Sequence, residues 1–512
     1  MSFRISARIV LAVLVVAGWL ASAHAEVSPD YAVLISAECA ADKGWFAVAQ
    51  ALKEKHGAVI LTNSAADCGP LLQKSQPRYL CLVAKPVEID VDCVRHLHLI
   101  TRAIDADPYG DCLWGIITGA TPDDALRIAK ARDPLVVRNA LTTTGVDTGL
   151  YDTCLTLSDG REGDWLIKTN GQVYHGNKTN TPASPNEILT DFYHANPVDL
   201  FVTSGHATEV NLETPFSSGA LVAGGERLYS VNRQGLRSYV REVSGGQATG
   251  GLWFQGPESS KRRLAWSLKT TETALKPTAN PKIFIAAGNC LIGDAMKTTD
   301  SLVILFLSHY GVNQFVGYTT ATWFGKGGWG TLGLWQGSEG QRTLSEAFYL
   351  NNQRIVKELL DLCPDLMQIS LDSESLALMT GEKKGPPTPA LIRMSKAVEA
   401  LEPAKRKEAV GLLYDRDTVA FYGDPKWEAR ADITKRKPRV EWSWSNEAGG
   451  QVLTLKSDKG LKADDALVFL LPKRSPGTKV EGGEPAVVND EFLWLKRTDL
   501  EAGKPTRLVI AP

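Results

Sequence analysis

Two stretches of this chain end alike. Residues 198–204 (VDLFVTS) run into Gly205-His206-Ala207, and residues 282–287 (KIFIAA) run into Gly288-Asn289-Cys290. Each apolar run predicts a buried strand of a parallel sheet, and ligands of open α/β sheets sit beyond the carboxyl ends of such strands. An imidazole and a thiol delivered to neighbouring strand ends share one crevice, where the imidazole can take the thiol proton and leave a nucleophilic thiolate. The small residues Gly205, Ala207 and Gly288 leave room for the backbone of a substrate. An amide N–H beside each of His206 and Cys290 is placed to receive an oxyanion. A lone cysteine at a strand end is usually a small core residue, and a lone histidine there a hydrogen-bonded structural one. It is the matched pair that points to acyl transfer.

The elements that must position this pair are legible as alternating buried runs and helices. Residues 31–36, 58–62, 79–84 and 113–118 predict strands, with a helix around 45–56; Thr121 caps and Pro122 opens another helix. Residues 142–145 (TTTG) read as a hinge to a second unit with longer loops, holding a helix over 301–310 and a strand over 314–319. Gly-rich stretches at 244–251 and 325–333 read as mobile loops; neither has the spacing of a phosphate-binding loop. Helical sequence continues through 340–362 and 390–414 up to Phe421-Tyr-Gly-Asp-Pro425, and after Arg430 short apolar runs are separated by Gly, Pro and Asp turns. The pattern predicts an α/β fold: an open, parallel sheet flanked by helices in two subdomains (26–145 and 146–430), followed by a small C-terminal β-sandwich (431–512).

Residues 1–25 carry Arg4 and Arg8, an apolar run from Ile9 to Leu20 and an Ala23-His24-Ala25 end, the pattern of a secretory signal peptide. An exported protein is expected, in the periplasm, at the cell surface or outside the cell, with no membrane span. The formal charge of −2 gives no reason to expect nucleic acid as a partner. An oxidising compartment favours disulfides among the eight cysteines, with no pairing legible. No metal site or cofactor is expected: there is no CxxC, and His96-Leu-His98, on one side of a strand, reads as a surface pair. Lys261-Arg262-Arg263 reads as a solvated basic run.

"LFVTSGHATE" followed by "IFIAAGNCLIGD" resembles the paired histidine and cysteine motifs of the caspase-type clan of cysteine peptidases, and within it the gingipain-type family. Gly205-His206 and Cys290-Leu-Ile-Gly293-Asp294 carry the likeness, supported by "FVGYTTATW" and "FYGDP" downstream. The resemblance implies a caspase/gingipain-like sheet with an immunoglobulin-like C-terminal domain, and an exported cysteine endopeptidase acting on protein or peptide substrates through a Cys-His dyad and a thioester acyl-enzyme. In that scheme Cys290 attacks, His206 protonates the leaving amine, and the amides of Ala207 and Cys290, with Gly205 alongside, form the oxyanion site. Asp147 is a candidate for orienting the histidine, Asp294 for capping a helix after Cys290, and Trp323 for walling the substrate pocket. Ala207 stands where the family has glycine, and Asn289 where it favours a small residue. Those departures support the alternative, a catalytically silent secreted binding protein. A metal hydrolase built on His206 and Glu209 ranks last.

Overall fold

The computed structural model describes residues 30–64, 67–161, 163–177, 184–232, 272–296, 298–461, 467–475, 479–497 and 499–511. The leader, the Gly-rich stretch 244–251 and the basic run 261–263 lie outside the described residues.

One mixed α/β sheet of 12 strands, most of its pairings parallel, organises the chain. Across it the order is Val59–Thr62, Tyr31–Ile35, Tyr79–Val83, Leu113–Ile117, Val419–Tyr422, Gln314–Tyr318, Ile283–Ala286, Leu200–Thr203, Asn139–Thr142, Thr153–Leu157, Trp165–Thr169 and Gln172–Gly176. Strands such as Tyr31–Ile35, Leu113–Ile117 and Gln314–Tyr318 are buried along their whole length, which is why they read as unbroken apolar runs. Val419–Tyr422 pairs parallel to Leu113–Ile117 but antiparallel to Gln314–Tyr318, so the sheet reverses direction at its centre. The amino end of Leu113–Ile117 therefore shares an edge with the carboxyl ends of the strands leading to His206 and Cys290.

Helices flank this sheet; its apolar core draws on residues from Tyr31 to Ala431, and a second core among the helices is built on Ile355, Leu359, Leu366 and Leu412. Beyond it, a four-stranded and a three-stranded sheet share a core built on Leu453, Leu455, Phe469, Leu493 and Leu508. This C-terminal unit docks through Val468, Phe492 and Trp494 onto Tyr109 and the helix Leu344–Leu362. No helix among the described residues is long and apolar enough to cross a membrane.

Three local expectations are corrected. His96 and His98 lie on the helix Val91–Thr101 rather than a strand, and His98 is buried with its Nε2 2.9 Å from the Val419 carbonyl. The Gly-rich stretch at 325–333 is the start of a helix, Lys326–Gly337. Its glycines permit contact that side chains would forbid: a Cβ on Gly328 would meet the Ala287 carbonyl oxygen at 2.4 Å, and one on Gly330 would meet Asn351 at 2.0 Å. The segment directly after Cys290 is a series of turns; the next helix begins at Leu302.

Candidate active site

The histidine strand Leu200–Thr203 and the cysteine strand Ile283–Ala286 are parallel neighbours in register, Thr203 opposite Ala286. Both leave the sheet at the same edge, and there a buried side chain joins them. Asn289, fully shielded from water, accepts a hydrogen bond from the Thr203 hydroxyl and donates from Nδ2 to the Gly205 carbonyl at 3.1 Å. The strand that carries Cys290 is thus tied to the peptide just before His206. The space between them is tight: a Cβ on Gly288 would lie 2.8 Å from the Ser204 hydroxyl and 3.0 Å from the Trp329 indole nitrogen.

Past His206 the chain folds back on itself. The Glu213 amide donates to the His206 carbonyl at 2.9 Å, and the Thr208 amide to the Asn211 carbonyl at 2.8 Å, bracketing an Ala207–Leu212 bridge. In this bridge the Ala207 amide faces away from the Leu212 strand, and among the described residues it donates to no other group. Ala207 is buried and belongs to the main core, so its methyl is packed against apolar neighbours. Gly205 has φ +134°, a conformation that a side chain would strain.

Cys290 is half-buried and a free thiol. Its Sγ accepts the Thr322 amide at 3.2 Å and lies 3.9 Å from the Thr322 carbonyl, while the Thr322 hydroxyl donates to the Asn289 carbonyl at 2.9 Å. The next residue, Leu291, has φ +60°, in the left-handed region that non-glycine residues rarely adopt. Hydrogen bonds hold it there: the Leu291 amide donates to the Thr320 carbonyl at 3.0 Å and the Gly293 amide to the Tyr318 carbonyl at 2.8 Å. The chain thus turns sharply at the thiol and runs along the end of the neighbouring strand. Such outliers are costly and collect at functional sites.

Burial sets the protonation states. Desolvation raises the Cys290 thiol above its ordinary 9.0, opposed by the Thr322 hydrogen bond. Desolvation lowers the His206 imidazole to about 3. Both shifts favour the uncharged forms. Asp294 accepts the Met296 amide at 2.8 Å and so holds a turn, not a helix; burial raises its carboxyl to about 7.

The other expected residues divide. Trp323 follows Thr322 and stands 51% exposed, edge-on to Tyr414 with ring centroids 5.8 Å apart, so it does flank the thiol loop. Asp147 caps the turn Thr148–Leu150, and its carboxylate is bound by Arg436. Sequence reasoning gave no role to Thr203, Thr322 or Trp329 and took Asn289 for a departure. A tryptophan inside the Gly-rich run 325–333 is the one local signal that could have marked Trp329.

No protein-family model and no curated protein matches this chain. Among solved structures, the Arg-specific cysteine proteinase gingipain R is similar at 11% identity, with a TM-score of 0.35 over 95% of this chain and 98% of that one. A second structure, described as that of a protease, is similar at 8% identity, with a TM-score of 0.36 over 94% of this chain and 96% of the other. At that looseness of overlay, the chemistry of this edge has to be read from its own side chains.

Proposed function

We propose that this chain is an exported cysteine endopeptidase of the gingipain kind, with Cys290 as nucleophile and His206 as its proton carrier. The observation that supports this reading most is the buried Asn289 tie between adjacent strand ends carrying an imidazole and a free thiol. In the reaction, the Cys290 sulfur attacks the scissile carbonyl carbon and its proton passes to His206. The oxyanion is received by the Ala207 and Cys290 amides, and His206 returns the proton to the amine as the C–N bond breaks. A water then attacks the thioester, giving one proton to His206, which restores the thiol as the acid leaves. Residues 26–145 and 146–430 act as the two α/β units, and 431–512 as an immunoglobulin-like sandwich.

The silent binding protein is supported by Ala207 and by burial that shifts both the thiol and the imidazole towards their uncharged forms. Iodoacetamide labelling followed by mass spectrometry, run beside digestion of a peptide library, separates the two. The peptidase reading expects cleavage that is lost in Cys290→Ala and His206→Ala, with His206→Ala also slowing the labelling of Cys290. A chain that cleaves nothing and whose Cys290 labels equally fast with or without His206 is the binder.

A further inference from the structure

A second cluster of chemistry-bearing side chains lies apart from Cys290, at the amino end of the strand Leu113–Ile117. The loop before it reads Asp105-Ala-Asp107-Pro-Tyr-Gly-Asp111, and one carboxylate oxygen from each of the three aspartates lies within 4.8 Å of the others. The loop is wound about these carboxylates. The Asp107 amide donates to Asp105 Oδ1 at 2.8 Å, the Tyr109 amide to Asp107 Oδ1 at 2.8 Å, and the Asp105 amide to Asp111 Oδ2 at 3.3 Å.

An independent observation points to a ligand. Asp111 is 0% exposed, and its Oδ1 is buried with no hydrogen-bond partner. Glu491, from the C-terminal unit, is 1% exposed and likewise has a buried, unpartnered Oε2. A buried carboxylate oxygen with nothing to accept from is expensive, and a bound cation is one way to satisfy it. Among the described residues, Arg474 binds Glu491 Oε1 and donates to the Asp111 carbonyl at 2.9 Å, leaving Asp111 Oδ1 and Glu491 Oε2 unpartnered.

We propose that Asp105, Asp107 and Asp111 form a calcium site that clamps the C-terminal unit to the α/β sheet. The donors are all oxygen, which selects a hard cation over zinc. They sit on an irregular loop, which suits the six to eight flexible contacts of calcium better than the strict octahedron of magnesium. The clamp reaches in two directions. Asn489 of the C-terminal unit donates to Asp107 Oδ2, beside Glu491. Gly110, within the loop, is held by the helix Leu344–Leu362: its carbonyl accepts the Tyr349 hydroxyl at 2.6 Å and its amide donates to Gln353 at 2.9 Å.

The test is calcium chloride titrated into the purified full chain after chelator treatment, followed by calorimetry and thermal melting, with magnesium chloride in parallel. One calcium per chain is expected, with a melting temperature several degrees higher and little response to magnesium. Asp107→Asn and Asp111→Asn should each weaken calcium binding roughly 10- to 100-fold, while Asp123→Asn, an exposed acid on another helix, should leave it unchanged. Absence of both heat and shift at millimolar calcium overturns the proposal, as does an equal response to magnesium or unchanged binding in Asp107→Asn. Should the buried Asp111→Asn fail to fold, the unmodified chain and the half-buried Asp107→Asn still decide. Neither readout depends on peptidase activity.

Discussion

At the scale of single residues, the geometry of the candidate site depends on a carboxamide. Asn289→Ala would leave the buried Thr203 hydroxyl and the Gly205 carbonyl without their partner. The expected loss of stability is about 1–3 kcal/mol. Loosening the tie between strand ends should lower kcat roughly 10- to 100-fold with little change in KM, whereas a merely structural role would lower the melting temperature and leave kcat alone. Steady-state kinetics and melting of the same preparation distinguish these. Protonation gives a second expectation. Burial raises the Cys290 thiol and lowers the His206 imidazole, and both shifts favour the neutral forms near pH 7. Iodoacetamide labelling of Cys290 should therefore keep climbing as pH rises through 9, without the plateau near neutrality that a preformed thiolate–imidazolium pair would give.

At the scale of elements, the helix Lys326–Gly337 is pressed against the cysteine strand by residues that favour helix least. Its first turn is anchored by Asp415, which accepts the Gly327 amide at 3.0 Å and the Tyr318 hydroxyl at 3.1 Å. Gly328→Ala would drive a methyl into the Ala287 carbonyl and is expected to destabilise by about 1–3 kcal/mol and reduce Cys290-dependent turnover. Gly333→Ala on the same helix meets nothing within 4 Å and should stabilise by about 0.4–1 kcal/mol. Denaturant melts of the two variants check the contrast. The same helix marks where the sequence stopped being legible. Strands buried on both faces, such as Leu113–Ile117, announce themselves as apolar runs, and the strand ends at His206 and Cys290 could be placed from them. A helix of glycines reads as a loop because its reason is the close approach of another backbone, which no local pattern carries. The strand Val419–Tyr422 was hidden for a similar reason: four residues after a helix look like its continuation, yet they join the two halves of the sheet. Asn289 looked like a defect because its partners, Thr203 and Gly205, are distant in sequence.

At the scale of the whole molecule, the return of the chain to that central strand is fixed by the Asp424 that follows it. Its carboxylate, 1% exposed, accepts the Tyr31 hydroxyl at 2.9 Å and meets Lys55 Nζ and His56 Nε2 at 2.8 Å each, so the end of the α/β region is bound to its beginning. Burial alone would raise this carboxyl; the His56 hydrogen bond and the charge of Lys55 outweigh it and hold the group at about 2. A carboxyl whose folded pKa lies below the unfolded ~3.9 stabilises the fold fully above that value and loses its contribution as pH falls through the folded one. Asp424→Asn preserves the shape but leaves Lys55, whose side chain is 7% exposed, without its counter-charge. The expected cost at pH 7 is about 3–5 kcal/mol, seen as a fall in melting temperature. The gap between the two proteins should then narrow as pH drops from ~4 towards ~2, because protonation does to the native carboxylate what the substitution has already done. A variant that melts with the native chain at pH 7, or a gap that holds its width through that window, would mean that the apolar core alone joins the two ends.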